Sequence, residues 1–349
     1  MKKINIYISL EKMTASLISS LLQNHSFHIH SISSRTKTID SFKEKISRPD
    51  KNYDQLKDIT DIVGIRITTY FSDELDKVSE LIKSQFKVDL ENSIDKRKSL
   101  EPDKFGYMSL HLVAEHNNIR TNLPEYSLFA DMKFEVQIRS ILQHAWAEIE
   151  HDLGYKSEIE IPNIVKRKFS RLSGLLELVD DEFVSIKNII SEYIKVLPNK
   201  LSEKPAEITI DIDSLKAFIL NTQDVIRIEN QMRDVFDCPI FEPRSDTLSM
   251  NLDRLKILNI ETIEQLSGIY ESHKEDIVPF LNIWLDKENK WNRIHKGVSI
   301  LYVIYLYLIE KNDPELSRKV LYNFRQKDGK DIVTRLHEVG DIYLSTKLQ

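Results

Sequence analysis

The first half of the chain alternates between helical and strand spacing of its apolar residues. Residues 10–22 place Leu10, Met13 and Leu17 three or four positions apart, which predicts an amphipathic helix. Residues 59–70 concentrate isoleucine and valine between polar neighbours, as expected on the approach to a buried strand. Equivalent patterns predict helices at 38–46, 74–86 and 140–154 and strands at 26–33, 108–115 and 132–139. Strands that alternate with helices indicate an α/β layer domain.

After residue 162 the strand signals fade and helical spacing dominates. Helices are predicted at about 164–196, 213–236, 261–270, 274–290, 296–311 and 315–325. Residues 197–210 carry two prolines and mixed charges, which is typical of a linker. The pattern therefore predicts an α/β domain over residues 1–197 and an all-α accessory domain over residues 211–349.

Composition excludes several classes of protein. A chain of 349 residues is long enough for roughly two domains at ~150 residues each. With 41% apolar and 30% charged residues, disorder is excluded as the main state. The formal charge of -6 argues against a generally basic nucleic-acid-binding surface, so any site for a polyanion must be local.

Cysteine use and apolar runs indicate the compartment. The one cysteine of the sequence, Cys238, allows neither an internal disulfide nor a Cys-rich zinc site within one chain, and the reducing cytosol fits best. Residues 1–10 lack the continuous apolar core of a secretory signal. The longest apolar stretch, residues 298–309, is short of the ~20 residues that cross a bilayer and predicts a buried helix. We expect a cytoplasmic protein without membrane association.

A local basic segment lies at residues 33–57, where seven basic residues face four acidic ones and give a local charge of +3. On a helix that starts near residue 38, Ser41 and Lys45 share one face, and together they can contact one polyphosphate chain. A solvated basic helix face explains the same residues, and the segment taken alone favours that interpretation.

Asp61 precedes Gly64 and the buried strand. An acid held rigidly at such a turn can bind a hard cation, and Mg2+ is usually bound by one or two carboxylates together with phosphate oxygens. Asp61 can equally cap a helix or satisfy the turn. The local pattern does not distinguish these interpretations.

Two predicted strands carry a polar face opposite an apolar one, because residues i and i+2 project to the same side. These faces are formed by Tyr107, Ser109 and His111 in the first strand and by Glu135, Gln137 and Arg139 in the second. A solvent-facing strand explains this alternation unless the face lines a cleft.

The helix predicted at 140–154 carries two histidines with an acid between them. His144 and His151 are seven residues apart and Glu148 lies between them, which is not the HExxH spacing of zinc enzymes. We expect structural or supporting roles for these residues.

Taken together, four motifs resemble the RelA/SpoT nucleotide pyrophosphokinases, the alarmone synthetases, over residues 31–184. Each motif is weak alone, but the ordered set is highly specific. The motifs are Arg35-x-Lys37-x-x-x-Ser41-x-x-x-Lys45, Asp61-Ile62-Val63-Gly64-Ile65-Arg66, Gly106-Tyr107-x-Ser109-Leu110-His111 and Glu135-Val136-Gln137-Ile138-Arg139. Residues 142–151 are also similar to the family and point to its compact members, which lack an HD hydrolase domain.

The resemblance implies a fold and a reaction. The implied fold is a mixed sheet flanked by helices, related to the nucleotidyltransferases. The implied reaction moves the β,γ-pyrophosphate of ATP to the ribose 3′-hydroxyl of GDP or GTP, releases AMP and uses Mg2+. Such a transfer depends on positioning, a bridging cation and charge neutralisation more than on covalent catalysis.

The resemblance also implies roles for individual residues. It assigns Asp61 to Mg2+, and Glu135 to the metal or to activation of the 3′-hydroxyl. The ATP site is expected to comprise Arg35 against adenine, Lys37, Ser41 and Lys45 at the phosphates, and Arg97 as a second adenine-facing arginine. The acceptor site is expected to comprise Tyr107, stacked on guanine, with His111, Gln137 and Arg139.

The chain departs from the family pattern before Gly106. The family often has Pro-Lys-x-Asn there, whereas residues 101–105 read Glu-Pro-Asp-Lys-Phe, which leaves a lysine contact to the acceptor phosphate open.

Other functions remain open at this point. A toxic relative would pyrophosphorylate tRNA 3′ ends or adenosine nucleotides, and basic residues at 166–171 offer a path for tRNA, although their spacing spreads them around a helix. A catalytically inactive nucleotide sensor is a third hypothesis, against which the retained Asp61 and Glu135 argue. The helical half is expected to regulate, to form a homo-oligomer or to act as an antitoxin-like module.

Overall fold

A computed structural model describes residues 2–47, 53, 55–99, 109–155, 162–285, 291–321 and 331–347. The chain divides into two compact units, residues 1–188 and 189–349. Each unit has its own hydrophobic core.

The first unit is built on a five-stranded mixed sheet. Its strands are β1 (Ile29–Thr36), β2 (Val63–Thr69), β3 (Lys87–Asp95), β4 (Leu110–Glu115) and β5 (Lys133–Ser140). They lie in the order β1-β2-β5-β4-β3, in which β2 and β5 are parallel and the other pairs are antiparallel. The predicted mixed sheet flanked by helices is therefore confirmed.

Helices accompany this sheet along the chain. They are α1 (Lys2–Asn24), α2 (Ile39–Ile46), α3 (Glu74–Gln85), α4 (Lys96–Ser99), α5 (Asn118–Thr121), α6 (Ile141–Tyr155) and α7 (Asn163–Glu203). Short 3-10 turns occur at Leu56–Asp58 and Ser127–Phe129. Helices predicted near 10–22, 38–46, 74–86 and 140–154 are confirmed, and α1 begins eight residues earlier than predicted.

Alternation along the central strands separates a core face from a polar face. In β2 and β5, the side chains of Ile65, Ile67, Val136 and Ile138 are fully buried in the core that includes residues of α1 and α3. The intervening residues, Gly64 and Arg66 in β2 and Glu135 and Gln137 in β5, are only partly buried. The same period-two pattern therefore builds both the core and a polar surface on the opposite face of the sheet.

Strand β3 was not predicted. Its sequence, KVDLENSID, has no apolar run, and its residues are mostly exposed because β3 lies at the edge of the sheet. The pairing with β4 also shifts register between Asp89 and Ile94. An edge strand with an irregular register needs little apolar patterning, and periodicity alone does not reveal it.

The second unit is mainly helical, as predicted, and adds two short strands. Its elements are the end of α7, α8 (Ile212–Asn221), α9 (Gln223–Phe236), β6 (Ile240–Phe241), α10 (Ser245–Ile257), α11 (Ile263–His273), α12 (Ile277–Trp284), β7 (Ile294–His295), α13 (Val298–Lys311), α14 (Pro314–Leu321) and α15 (Ile332–Lys347). Strands β6 and β7 pair in parallel and add a two-stranded sheet, two residues long in each strand, to this helical unit. Helices α10 and α15 were not predicted, and the helix predicted at 213–236 is interrupted at Thr222.

Helix α13 lies in the core of the second unit. Ile300, Val303 and Leu308 are fully buried, which confirms the prediction of a buried helix at 298–309. Gly340 of α15 allows close packing, because a Cβ at that position would lie 2.9 Å from Ile309 Cγ1. Across the described residues, none of the helices has the length and hydropathy that would let it span a membrane.

The two units divide at a different place from the predicted linker. The boundary between residues 188 and 189 falls inside α7, which continues to Glu203. Leu197, Ile208 and Ile210 are buried in the core of the second unit. These apolar residues fix the segment 197–210 in that unit, although its prolines and charges are typical of a linker.

Candidate active site

A polar cavity of about 210 Å³ opens on the sheet face opposite the first core. Its lining residues come mainly from β1, β2, β5 and the turn before β2. They are Ser33, Ser34, Arg35, Asp61, Gly64, Ile65, Arg66, Glu135, Gln137 and Glu148. The cavity therefore collects residues from three of the four motifs, and the face predicted for Glu135 and Gln137 does line a cleft.

Strand pairing aligns these residues across the sheet. Arg35 pairs with Gly64, and Gly64 pairs with Glu135 on the neighbouring parallel strand. Gly64 leaves this row open, since a Cβ there would lie 4.0 Å from Arg35 Cγ and would occupy space in the cavity. Glu11 of α1 holds β1 in position by accepting hydrogen bonds from the hydroxyls of Ser34 and Thr36 at 2.9 and 2.6 Å.

Asp61 lies between two lysines. Its Oδ2 accepts a hydrogen bond from Lys37 Nζ at 2.8 Å, and its Oδ1 forms an ion pair with Lys45 Nζ at 2.6 Å. Burial raises the pKa of Asp61, but the two ammonium groups outweigh burial and hold the pKa below its usual value. Asp61 is therefore ionised at neutral pH and orients both lysines.

Helix α2 brings Lys45 to Asp61. Thr38 caps the first turn of α2 by accepting a hydrogen bond from the Ser41 backbone N–H, and its hydroxyl donates to Ser41 Oγ at 3.0 Å. Lys37 lies just before the cap, and its backbone N–H donates to Ile62 O at 2.8 Å. Ser41 is exposed and is not among the residues that line the cavity.

Glu135 is fixed by two neighbours on β4 and β5. Its Oε1 lies 2.8 Å from His111 Nδ1, and its Oε2 accepts a hydrogen bond from Gln137 Nε2 at 2.8 Å. Burial raises the pKa of Glu135, but the interactions with His111 and Gln137 outweigh burial, and the net effect is a lowered pKa. The negative charge of Asp61 opposes ionisation of Glu135, so the two carboxylates are close enough to repel each other.

The donor set of this cavity fits Mg2+. Asp61 and Glu135 supply carboxylate oxygens, the ligands that this cation prefers, and the Lys45 ammonium group 2.6 Å from Asp61 Oδ1 shows that this oxygen already accommodates a cation. No group of three or more His, Cys, Asp or Glu side chains in the described residues is arranged to hold a metal. Two carboxylates do not complete the coordination of Mg2+, so further oxygens would come from a bound phosphate, as is common for this cation.

Arg66 lines the cavity, although no role was predicted for it. It pairs with Ser33 of β1, two residues before Arg35, and its Nη1 lies 2.8 Å from Glu148 Oε1 on α6. The period-two alternation of β2 indicates this position from the sequence, because Arg66 is two residues after Gly64 and therefore projects to the same face.

Arg97 and Arg139, both predicted to bind nucleotide, are not among the cavity-lining residues. Arg97 donates hydrogen bonds to Asp95 and Asp76, and these carboxylates raise its pKa. Arg139 is 2% exposed and lies 3.2 Å from Glu148 Oε1. Tyr107, the predicted guanine platform, lies outside the described residues.

Glu148 also organises the neighbouring part of α6. His144 Nδ1 lies 3.7 Å from Glu148 Oε1, one helical turn away. Burial, Arg139 and Arg66 all lower the pKa of His144, so its imidazole is neutral at neutral pH. His144 therefore lies beside the Arg66–Glu148 pair without adding a charge to it.

Comparison with known proteins identifies relatives of the first unit. The family model described as "Region found in RelA / SpoT proteins" matches residues 34–160. GTP pyrophosphokinase YjbM of Bacillus subtilis (strain 168) is 30% identical over 167 residues, which cover 47% of this chain and 74% of that protein. GTP pyrophosphokinase YwaC of the same organism is 28% identical over 171 residues, which cover 48% and 78%. A crystal structure of the small alarmone synthetase 1 from Bacillus subtilis is 26% identical, covers 55% of this chain and 97% of that chain, and superposes with a TM-score of 0.47.

Proposed function

Because the chain belongs to the RelA/SpoT family of nucleotide pyrophosphokinases, we propose that it transfers the β,γ-pyrophosphate of ATP to the ribose 3′-hydroxyl of GDP or GTP. The observation that carries the proposal is one cavity that combines two ionised carboxylates, Asp61 and Glu135, with a cluster of cationic side chains. The relatives named GTP pyrophosphokinase support guanosine nucleotides as the acceptor.

The reaction is a displacement at phosphorus. The 3′-hydroxyl oxygen of the acceptor forms a bond to the β-phosphorus of ATP, and the bond from that phosphorus to the α,β-bridging oxygen breaks. AMP leaves with the bridging oxygen, and the hydroxyl proton passes to a base. Positioning of the two nucleotides and neutralisation of the phosphate charge supply most of the catalysis.

The lysines would exchange partners when ATP binds. In this structure Lys37 and Lys45 contact Asp61, and the approach of the phosphates gives their ammonium groups anionic oxygens to contact instead. Asp61 and Glu135 would hold Mg2+, which supplies charge neutralisation across the phosphates when bound. Ser41, one turn before Lys45, would add a hydroxyl at the phosphates.

Glu135 would ligate the cation or receive the proton of the 3′-hydroxyl. Both roles require the ionised carboxylate, which agrees with its lowered pKa. The bonds from His111 and Gln137 hold this carboxylate in one orientation before substrate binds, and preorganisation of this kind reduces the cost of reaching the transition state.

Arg35 and Arg66 would bind the adenine of ATP. Their guanidinium groups line the same cavity from adjacent strands, and planar guanidinium groups stack on aromatic faces. The acceptor base would stack on Tyr107, as the resemblance implies, with His111 and Gln137 near the acceptor ribose.

A labelling experiment tests both the reaction and its acceptor. The purified full chain is incubated with Mg2+, ATP labelled at the γ-phosphate and, separately, GDP, GTP, excess ATP or bulk tRNA. We expect label on GDP and GTP. Label confined to tRNA or to an adenosine nucleotide would overturn the acceptor assignment, and absence of transfer to every acceptor would overturn the proposed reaction.

A matched pair of variants controls this experiment. Glu135→Gln should abolish label transfer, whereas Glu80→Gln should not, because Glu80 lies exposed on α3 and pairs with Lys83. Equal activity of the two variants would show that Glu135 is not part of the active site.

A further inference from the structure

Glu229 is a buried carboxylate in the second unit. It lies on α9, is 3% exposed and accepts hydrogen bonds from the backbone N–H of Gly297 at 2.7 Å and from Ser299 Oγ at 2.7 Å. The backbone N–H of Ser299 adds a longer bond of 3.3 Å. These bonds satisfy the first turn of α13, so Glu229 caps that helix from a neighbouring element.

All three of these hydrogen bonds end on the same oxygen of Glu229. Oε1 receives every bond, and within the described part of the second unit Oε2 receives none. Capping of α13 therefore explains one oxygen, whereas the second oxygen belongs to a side chain that lines a cavity. Oε2 is not among the enclosed polar atoms of the described residues that lack a partner, so it is accessible from the cavity to the donor group of a ligand.

The cavity has an apolar wall and a polar wall. Its volume is about 290 Å³, which is close to the lower end of the range for small-molecule sites. The apolar wall consists of Ile219, Leu220, Ile226 and Ile240, and the polar wall of Glu229, Asn230, Arg233 and Lys296. A small ligand with a compact aliphatic group and several polar atoms matches both walls.

The two basic residues of the polar wall, Lys296 and Arg233, form ion pairs that a ligand can replace. Lys296 Nζ lies 2.6 Å from Glu242 Oε1, and Arg233 Nε donates to Asp234 Oδ1 at 2.8 Å. Glu242 and Asp234 are largely exposed, and such surface ion pairs contribute little to stability. A ligand anion can therefore replace either partner at low cost.

The arrangement of charges selects among ligand classes. A polyphosphate would be repelled by Glu229, and a simple cation would face Lys296 and Arg233. A zwitterion satisfies both signs at once. We propose that this cavity binds a small zwitterion with an aliphatic side chain, of which a free α-amino acid is the simplest, with its ammonium group on Glu229 and its carboxylate on Lys296 or Arg233.

Titration of the full chain with L-leucine and two analogues tests the ligand class. 4-Methylpentanoate lacks the ammonium group and 3-methylbutylamine lacks the carboxylate, while both keep the branched aliphatic group. Calorimetry should show binding of L-leucine, L-isoleucine or L-valine, and weakening by about tenfold or more for each analogue, because a charge-assisted hydrogen bond is lost. No heat with any of the three amino acids at 10 mM, or equal affinity for the analogues, would overturn the proposal.

Two variants and a control test the location. Glu229→Gln keeps an oxygen for Gly297 and Ser299 but loses the charge, and it should weaken binding about tenfold or more. Ile226→Trp fills the cavity from its exposed rim and removes no hydrogen bond, and it should abolish binding. Glu264→Gln, in the first turn of α11, should leave binding unchanged.

Unchanged affinity in Ile226→Trp would show that the ligand binds elsewhere. Since the measurement is binding to the second unit, its outcome does not depend on whether the first unit transfers pyrophosphate.

Discussion

The ammonium group of Lys37 lies 2.8 Å from Oδ2 of Asp61, so the carboxylate expected to bind Mg2+ and a lysine expected to bind phosphate are partners in this structure. Lys45 completes the arrangement at 2.6 Å from Oδ1. The pairing holds three chemically active groups in position and offsets one of the two ammonium charges until a nucleotide enters. It also lowers the pKa of Asp61, which keeps the carboxylate ready for a cation.

Removal of either active-site carboxylate should abolish transfer and preserve the fold. Asp61→Asn and Glu135→Gln each remove a charge but keep the shape and one acceptor oxygen, so we expect activity to fall by about 100-fold or more. Circular dichroism and thermal melting should show a folded first unit in both variants. Near-normal turnover in either variant would contradict the assignment, and loss of folding would instead indicate a structural role for that acid.

Arg66 and Arg97 should differ in their effect on ATP. Arg66 lines the cavity beside Arg35, whereas Arg97 is bonded to Asp95 and Asp76 and is not among the lining residues. Arg66→Ala should raise KM for ATP by about 5- to 150-fold, the range given by base stacking of ~1–3 kcal/mol. Arg97→Ala should change KM for ATP much less. A larger rise in KM for ATP in Arg97→Ala than in Arg66→Ala would indicate that Arg97, and not Arg66, faces the adenine.

Tyr107→Ala should weaken the acceptor nucleotide and leave ATP nearly unaffected. Stacking of a base on an aromatic side chain contributes ~1–3 kcal/mol, or roughly 5- to 150-fold in affinity. Tyr107→Phe keeps the ring and should be mild. Separate titrations with GDP and with a non-hydrolysable ATP analogue measure the two effects, and equal weakening of both nucleotides would rule out Tyr107 as the guanine platform.

Glu229 should make the stability of the second unit depend on pH. Burial raises the pKa of Glu229 from 4.5 to about 7, so the folded protein holds this proton more tightly than the unfolded chain. The free energy of unfolding should therefore be highest below about pH 4.5 and should fall as the pH rises through about 7, by at most about 3 kcal/mol.

Urea unfolding of the full chain at pH 5 and pH 8 measures this effect. The difference in the free energy of unfolding between the unsubstituted protein and Glu229→Gln should change between pH 5 and pH 8. The unsubstituted protein should be relatively less stable at pH 8. An identical pH dependence of both proteins would show that Glu229 does not titrate in this window.

Local alternation predicted the central part of the site. Glu135 and Gln137 share one face of β5 because residues i and i+2 must do so, and both line the cavity. Arg139 projects to the same face, where it lies 3.2 Å from Glu148 Oε1, but it is buried because α6 covers this end of the strand. Alternation predicts the face to which a strand residue projects, but not whether a later helix covers that residue.

Contacts between distant segments were beyond the reach of periodicity. The pairing of Asp61 with Lys37 and Lys45 requires that α2 and the turn before β2 meet, and no local spacing encodes that approach. The packing of residues 197–210 has a related origin, since Leu197 belongs to a core formed with helices much later in the chain. Charge and proline content describe a segment's own composition and not the surface that it packs against.

The central claim is transfer of intact pyrophosphate from ATP to a guanosine nucleotide. Phosphorus NMR and mass spectrometry of a reaction that contains the full chain, Mg2+, ATP and GDP follow every phosphorus atom. We expect AMP and a guanosine nucleotide heavier by one pyrophosphate group to accumulate in equal amounts, with the new phosphorus signals coupled to the ribose 3′ position and absent with Glu135→Gln. Formation of ADP or free phosphate in place of AMP, or AMP without a modified guanosine nucleotide, would contradict the claim.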